Sequence, residues 1–446
     1  MSNTPKLTAG SIPGHLLAMA LPMLGGIFAM MAFNAVDTLF VGQLGGRELA
    51  AMSFTFPVVM VVTAAAIGTS AGTSSVIARA VGANDDARTR RLCTDALLLA
   101  AVVSGTLSLV GIVTIDPVFT LLGAPADMLP LIQRYMTLWF LSAVLYVVPM
   151  VGMGAIRATG DTRVPMYIMI GAAVLNGVID PLLIFGIGPF PRLDLMGAAL
   201  ALVIARVMMF VITLYVLGAR LHMIEFKFPA AQTLFASWRA ILHVGLPAAG
   251  TNMIIPLCTA VVTAMLASYG ADVVAGFGVA SRIEALSLIA FYALSAVIGP
   301  VLGQNFAAGK ISRMLEAVNV SAVFCFAFGL LLTILMWLFG EALAGLFNDA
   351  SAIIDVAKTF LYLVPLSYGA AGMVMTANAA FNGIGSPLPA VIISTARMAF
   401  IYLPLAWLGG QWFGYAGIFG AYAIANVVCG VGGYAWIRRR VNKLAV

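Results

Sequence analysis

From Gly14 onward the chain repeats one pattern: an apolar run of roughly 20 residues or more, a short punctuation of Gly, Pro or charge, then another apolar run. Twelve runs can be marked off, at 14–43, 50–78, 93–115, 129–155, 164–188, 196–218, 240–268, 274–301, 315–340, 352–377, 387–409 and 415–437. None shows the alternation of a half-buried strand. A backbone in hydrocarbon must satisfy its own hydrogen bonds, so each run predicts a transmembrane helix and the fold class is an all-α polytopic membrane protein. The first run is too long for the core of a signal peptide and is read as a retained span.

Composition agrees with that reading. The 446 residues are 62% hydrophobic and only 9% charged, with a mean hydropathy of +1.06, too little polar surface to cover a water-soluble globule of this size. The formal charge of +6 is not spread evenly between the two sides. On one side fall Lys6, Arg79, Arg88, Arg90, Arg91, Arg157, Arg163, Arg220, Lys227, Arg239, Lys310, Arg313, Arg438, Arg439, Arg440 and Lys443; on the other, only Arg47 and Arg192. That asymmetry predicts two cytoplasmic termini. It also argues against a nucleic-acid partner, because the arginines are scattered over short loops. With no large loop or tail, the expected location is a bacterial inner membrane.

Shifting the chain by 225 residues superimposes Leu21-Pro22 on Leu246-Pro247, Gly45 on Gly270, Arg88 on Arg313 and Gly160 on Gly385; later stretches align better at 220. The shift spans six helices, an even number, so each helix keeps its direction and the repeats are parallel. The expected organisation is an N-lobe at 1–218, a cytoplasmic linker at 219–240 and a C-lobe at 241–446, two six-helix lobes around a central cleft.

Polar residues inside the spans are the candidates for chemistry, because a lone buried carboxylate costs several kcal/mol unless it carries a proton or finds a partner. Only Asp37, Asp180 and Glu284 lie clearly inside spans. Asp37 precedes Gly45 by eight residues and Asp180 precedes Gly188 by eight, in helices that both run outward, so the two should lie at similar depth. Asn34 stands three residues before Asp37 and Asn176 four before Asp180, spacings that put each amide beside its carboxylate. Pro181 and Pro22 each remove one backbone donor and allow their helices to bend. A bent helix with a carboxylate is a candidate ion switch; the bland alternative is a polar clasp between helices one and five. Glu284, with Arg282 nearby, is open to three readings: a second ion site, a pair with Arg397, or packing against polar groups of its own lobe. Phe28, Phe33, Phe54, Phe56, Tyr135, Trp139 and Tyr146, with Met150 and Met153 among the 24 methionines, are candidates to line an adaptable apolar cavity. Ordinary packing against neighbours or lipid is the alternative for most of them.

Other chemistries find little support. Cys93, Cys258, Cys325 and Cys429 form no CxxC, and His15, His222 and His243 lack metal-ligand spacing, so no metal site or cofactor is expected. "GQNFAAGK" at 303–310 has five residues between its glycines instead of four, and Ile311 stands where a phosphate-binding loop needs Ser or Thr. ATP is therefore not expected as a partner, and any energy for transport should come from an ion gradient.

"LPMLGGIFAMMAFNAVDTLFVGQLG", "AIRATGDTRVPMYIMIGAAVLNGVIDPLLIFG" and "GQNFAAGK" together resemble the multidrug and toxic compound extrusion (MATE) transporters, and the resemblance extends over the whole chain. Asp37 and Asp180 with Asn176 are similar to the N-lobe site of the DinF-like branch. The seventh span has no acid, so the C-lobe cation site of the NorM-like branch is incomplete. The resemblance implies an antiporter that expels hydrophobic, often cationic small molecules by alternating access as H⁺ or Na⁺ enters, with no enzyme activity. Asp37 would be the principal coupling carboxylate and Pro22 the bend point. Some members carry Asn and Thr where this chain has Met150, Met153, Ala198 and Ala199. A dehydrated Na⁺ wants about five or six oxygens, so that departure favours H⁺, with Na⁺ at Asp37, Asn176 and Asp180 as the other possibility. The chain is expected to act as a monomer in the bilayer. A lipid-linked precursor flippase of the same superfamily is the alternative function; it would need several cavity arginines, and only Arg206, Arg282 and Arg397 lie well inside spans.

Overall fold

The computed structural model describes residues 7–225 and 230–444, and every regular element among them is helical. Ten helices are long and apolar enough to cross a membrane, and the pair Leu129–Leu141 and Ala143–Ala158, bent by 42°, makes one more span. The stretch Leu388–Asn442 is interrupted at Gly414 (φ 62°, ψ −152°), a conformation that glycine adopts without steric cost, and so divides into two. Twelve spans result. In chain order, spans 1 to 3 are Ile12–Leu44, Gly46–Gly82 and Asp86–Val113; span 4 is the bent pair; spans 5 and 6 are Arg163–Phe185 and Leu195–Arg220. Span 7 is Ala231–Ala267, span 8 is Ala271–Ser287 continued as Ile289–Ala307, spans 9 and 10 are Ile311–Gly345 and Ser351–Gly383, and spans 11 and 12 flank Gly414.

Large apolar side chains are exposed along these helices, Leu109, Val113, Leu338 and Phe400 among them, each more than 65% accessible. Surface of that kind needs lipid to cover it.

By its internal contacts the chain divides into two compact units. Among the described residues, one holds 25–249 and the other 7–24 with 250–444, so the first and seventh spans each contribute to both. In the first unit, span 2 packs along the second half of span 4, and spans 5 and 6 run together. Gly72 of span 2 lies so close to the Ile241 carbonyl of span 7 that a Cβ would not fit, which is why an apolar run this regular carries glycine there. In the second unit span 10 is central, packed against spans 8, 9 and 12, and Phe277, Phe360 and Phe419 form a ring cluster with centroids 5.1 to 6.1 Å apart.

The "GQNFAAGK" stretch has a structural job in this second unit. Gln304 Oε1 accepts from the Leu7 N–H at 3.2 Å, Asn305 Nδ2 donates to the Leu7 carbonyl at 3.1 Å, and Lys310 Nζ donates to the Thr8 carbonyl at 2.8 Å. Arg313 adds a bond to the Gly10 carbonyl at 2.7 Å. The loop thus clasps the segment that enters span 1.

Each unit also has a broken helix at the same point of the repeat. Span 4 turns at Ser142, and span 10 passes through a tight turn at Val364–Ser367, 225 residues later. Ser142 Oγ donates to the Trp139 carbonyl (2.9 Å) and Ser367 Oγ to the Val364 carbonyl (2.8 Å).

Candidate functional site

The first unit forms an open cavity of about 610 Å³, within the range that holds drug-sized ligands. Spans 1, 2, 4, 5 and 6 supply its wall, which is mostly apolar and aromatic with a few convergent polar groups. Phe33, Asn34, Asp37, Phe56, Tyr135, Trp139, Tyr146 and Asn176 all line it. Three other candidates lie elsewhere. Phe28 is exposed on the outside of span 1, and Met150 and Met153 lie beyond Pro149, where spans 2 and 6 pack directly on span 4. Phe54 likewise packs against the core.

Asp37 of span 1 and Asp180 of span 5 sit side by side, their carboxyl groups within hydrogen-bonding reach of each other. Asp180 is fully buried, and Asn176 Nδ2 donates to its Oδ2 at 2.9 Å across one helical turn. Its Oδ1 has no other donor among the described residues, and Asn176 Oδ1 also lacks one. Two charged carboxylates in contact in such a place repel each other strongly, so the arrangement calls for a shared proton or for a cation between the oxygens. Asn34 lines the cavity one turn before Asp37, and its carbonyl accepts from Thr38 Oγ1 at 2.8 Å. Pro22 and Pro181 both lie within continuous helices. Among the described residues no cluster of three or more His, Cys, Asp or Glu side chains is present, and the four cysteines are free and buried. Any cation at this site would therefore depend on the aspartate and asparagine oxygens.

The second unit holds a different polar set. Glu284 of span 8 is within hydrogen-bonding reach of Tyr422, with Arg397 within electrostatic range, while its Oε1 is buried without a donor. Arg397 Nη1 donates to Asn426 Oδ1 at 3.2 Å, and Asn426 Nδ2 to Ser367 Oγ at 3.1 Å. Arg282 is exposed and takes no part.

A sequence profile described as MatE matches residues 22–182 and 247–408, one stretch in each repeat. The chain belongs to the MATE family. A protein of Shewanella oneidensis named as an FAD transporter is 38% identical over 98% of this chain and 97% of its own length. A probable multidrug resistance protein, NorM, of Thermotoga maritima is 26% identical over 95% of this chain and 91% of its own. The MATE transporter VcmN of Vibrio cholerae, solved in a bent form, matches with a TM-score of 0.91 at 29% identity, covering 97% of this chain and 98% of that one. As a MATE protein the chain is a multi-span membrane transporter of small molecules and not an enzyme.

The residue that sequence reading passed over is Arg206. It was weighed there only as one of too few arginines for a pyrophosphate-lipid cavity. In the structure it is 4% exposed, lines the cavity on the otherwise apolar span 6, and binds the break in span 4. An arginine in the middle of "GAALALVIARVMMFVITLY" was the available signal.

Proposed function

We propose that this MATE protein is a proton-driven exporter of hydrophobic and amphipathic small molecules, cations among them, working by alternating access with the Asp37–Asp180 pair as its coupling site. The observation that carries this reading is that Asp37, on the wall of a ligand-sized cavity, has its carboxyl group within hydrogen-bonding reach of that of the buried Asp180. One proton resolves the repulsion between them; a sodium ion would need about five or six oxygens, which Asp37, Asp180, Asn176 and Asn34 would have to supply together, with Asp180 Oδ2 already accepting from Asn176 Nδ2. Protonation on the outer side removes charge from the pair, the first helix bends at Pro22, the cavity shrinks and the cargo leaves; loss of the proton to the cytoplasm resets the cycle. The same reading takes the chain as a DinF-like member acting as a monomer in a bacterial inner membrane with both termini cytoplasmic, supported by the arginine and lysine bias of its loops.

In a bacterium stripped of its own efflux pumps, the wild type should lower accumulation of a cationic dye such as ethidium, and Asp37→Asn at equal expression should not. Undiminished efflux by the variant would refute the coupling role. A second reading takes a flavin dinucleotide as the cargo, favoured by the 38% identity with the Shewanella protein named for FAD.

A further inference from the structure

We infer that the N-lobe cavity contains an anion subsite built on Arg206, which takes the phosphate or carboxylate of a planar aromatic compound whose rings rest on the cavity's aromatic wall. The inference rests on reading that cavity as the transport site. It starts from how Arg206 is held. Nη1 donates to Ser142 Oγ at 2.6 Å and to the Trp139 carbonyl at 3.2 Å, and the guanidinium carbon lies 4.8 Å from the Trp139 ring centre and 5.1 Å from that of Tyr146. These contacts fix the plane of the group and leave Nη2 with no protein acceptor among the described residues, while Nε, also unpartnered, is sealed by its neighbours. Nη2 carries two N–H donors and a share of the positive charge, suited to the oxygens of a carboxylate or phosphate. No carboxylate lies within ion-pairing distance of Arg206 among the described residues.

The obvious competing role is a clip across the break in span 4, and the repeat weighs against it as a full explanation. At the same point of the second unit the neutral Asn426 holds Ser367 across the break in span 10. In that unit an amide suffices for the clip, without a charge. Where the second unit does bury an arginine nearby, Arg397 has both Asn426 and the field of Glu284. Arg157 and Arg397 also bury an unpartnered Nε, but of the three only Arg206 lines the cavity. A buried cation without a counter-ion is costly, and an incoming anion relieves that cost.

The cavity is thus bipolar, with Tyr135 in electrostatic reach of Arg206 as well as of Asp37 and Asp180. An anion at the arginine end gains nothing from the charged form of the acid pair, so its release on protonation must come from the loss of cavity volume.

The test uses the full-length protein in phosphatidylcholine nanodiscs and three fluorescent planar probes: neutral riboflavin, riboflavin 5′-phosphate and cationic ethidium. A charge-assisted contact should make the phosphate bind about tenfold or more tighter than its neutral parent. Arg206→Gln should abolish that ratio while leaving riboflavin binding in place, and Arg206→Lys should restore part of it. A wild-type ratio near one, or a ratio unchanged in Arg206→Gln, overturns the subsite; the wild-type comparison decides even if the variant fails to fold. If phosphatidylglycerol in the nanodiscs displaces the soluble phosphate, the occupant is a lipid headgroup and the proposal fails. In liposomes, a phosphate preference without proton-driven movement of any probe would sink the export reading alone, and ethidium export without the preference would sink the subsite alone.

Discussion

The two units are built from one repeat, yet they bury different charges. In the first, Asp37 on the cavity wall reaches the carboxyl group of the buried Asp180 behind it, and the arginine at the helix break stands without an acid partner. In the second, the residue at that break is Asn426, the arginine comes from span 11, and the carboxylate near it is Glu284, set among Tyr422 and Arg397. The shared feature, a serine at the break held by a side chain of the last helix of the repeat, is architecture. What differs between the units is where function should be sought, because architecture alone would have needed no charge in either place.

The sharpest way to break that comparison is to neutralise one acid in each unit. Asp37→Asn should reduce proton-driven export to the level of protein-free liposomes, and Asp180→Asn should come close to it. Glu284→Gln, which keeps a hydrogen-bonding partner for Tyr422, should retain most transport in the same flux assay. Equal losses from Asp37→Asn and Glu284→Gln would mean that both units couple. A second contrast concerns packing: Gly72→Leu forces a side chain into the Ile241 backbone and should cost several kcal/mol, read as loss of monodisperse protein after extraction. Substitution at Gly250, where a Cβ would meet nothing, should be tolerated. Breaking the Ser367 clip with Asn426→Ala should lower thermal stability by about 1–3 kcal/mol, since it leaves Arg397 and Ser367 short of partners. The smallest expected effect is at the clasp: Asn305→Ala removes two bonds around Leu7 and Arg313 and should cost about 1 kcal/mol, with transport intact.

Much of the fold was legible because lipid imposes a simple rule, a long apolar helix between short punctuated turns. Span 1 runs Ile12–Leu44 where 14–43 was expected, and span 2 Gly46–Gly82 where 50–78 was. Span 7 begins at Ala231 rather than near 240, because "AQTLFASWR" continues the helix with polar residues that hydropathy does not count. The breaks at Ser142, at Leu288 and at Val364–Ser367 were invisible, since they change backbone bonding without changing polarity. At the site, helical spacing foretold the Asn176–Asp180 bond, and equal distance from Gly45 and Gly188 foretold that Asp37 and Asp180 share a level. Spacing could not say which face of span 4 meets the cavity. Tyr135 and Tyr146 reach it, while Met150 and Met153, further along the same helix, are covered by spans 2 and 6. Nor could composition distinguish "GQNFAAGK" as a clasp, because its partners, residues 7–10, lie some three hundred residues away in sequence.

The central claim is that the carboxyl pair of the first unit couples export to protons. The most direct measurement loads liposomes containing the wild type or Asp37→Asn with a fluorescent cationic dye and imposes either a pH gradient or a sodium gradient. The account predicts dye movement in the wild type under the pH gradient alone, and none in the variant under either. Movement driven only by sodium, or pH-driven movement that survives Asp37→Asn, would contradict it.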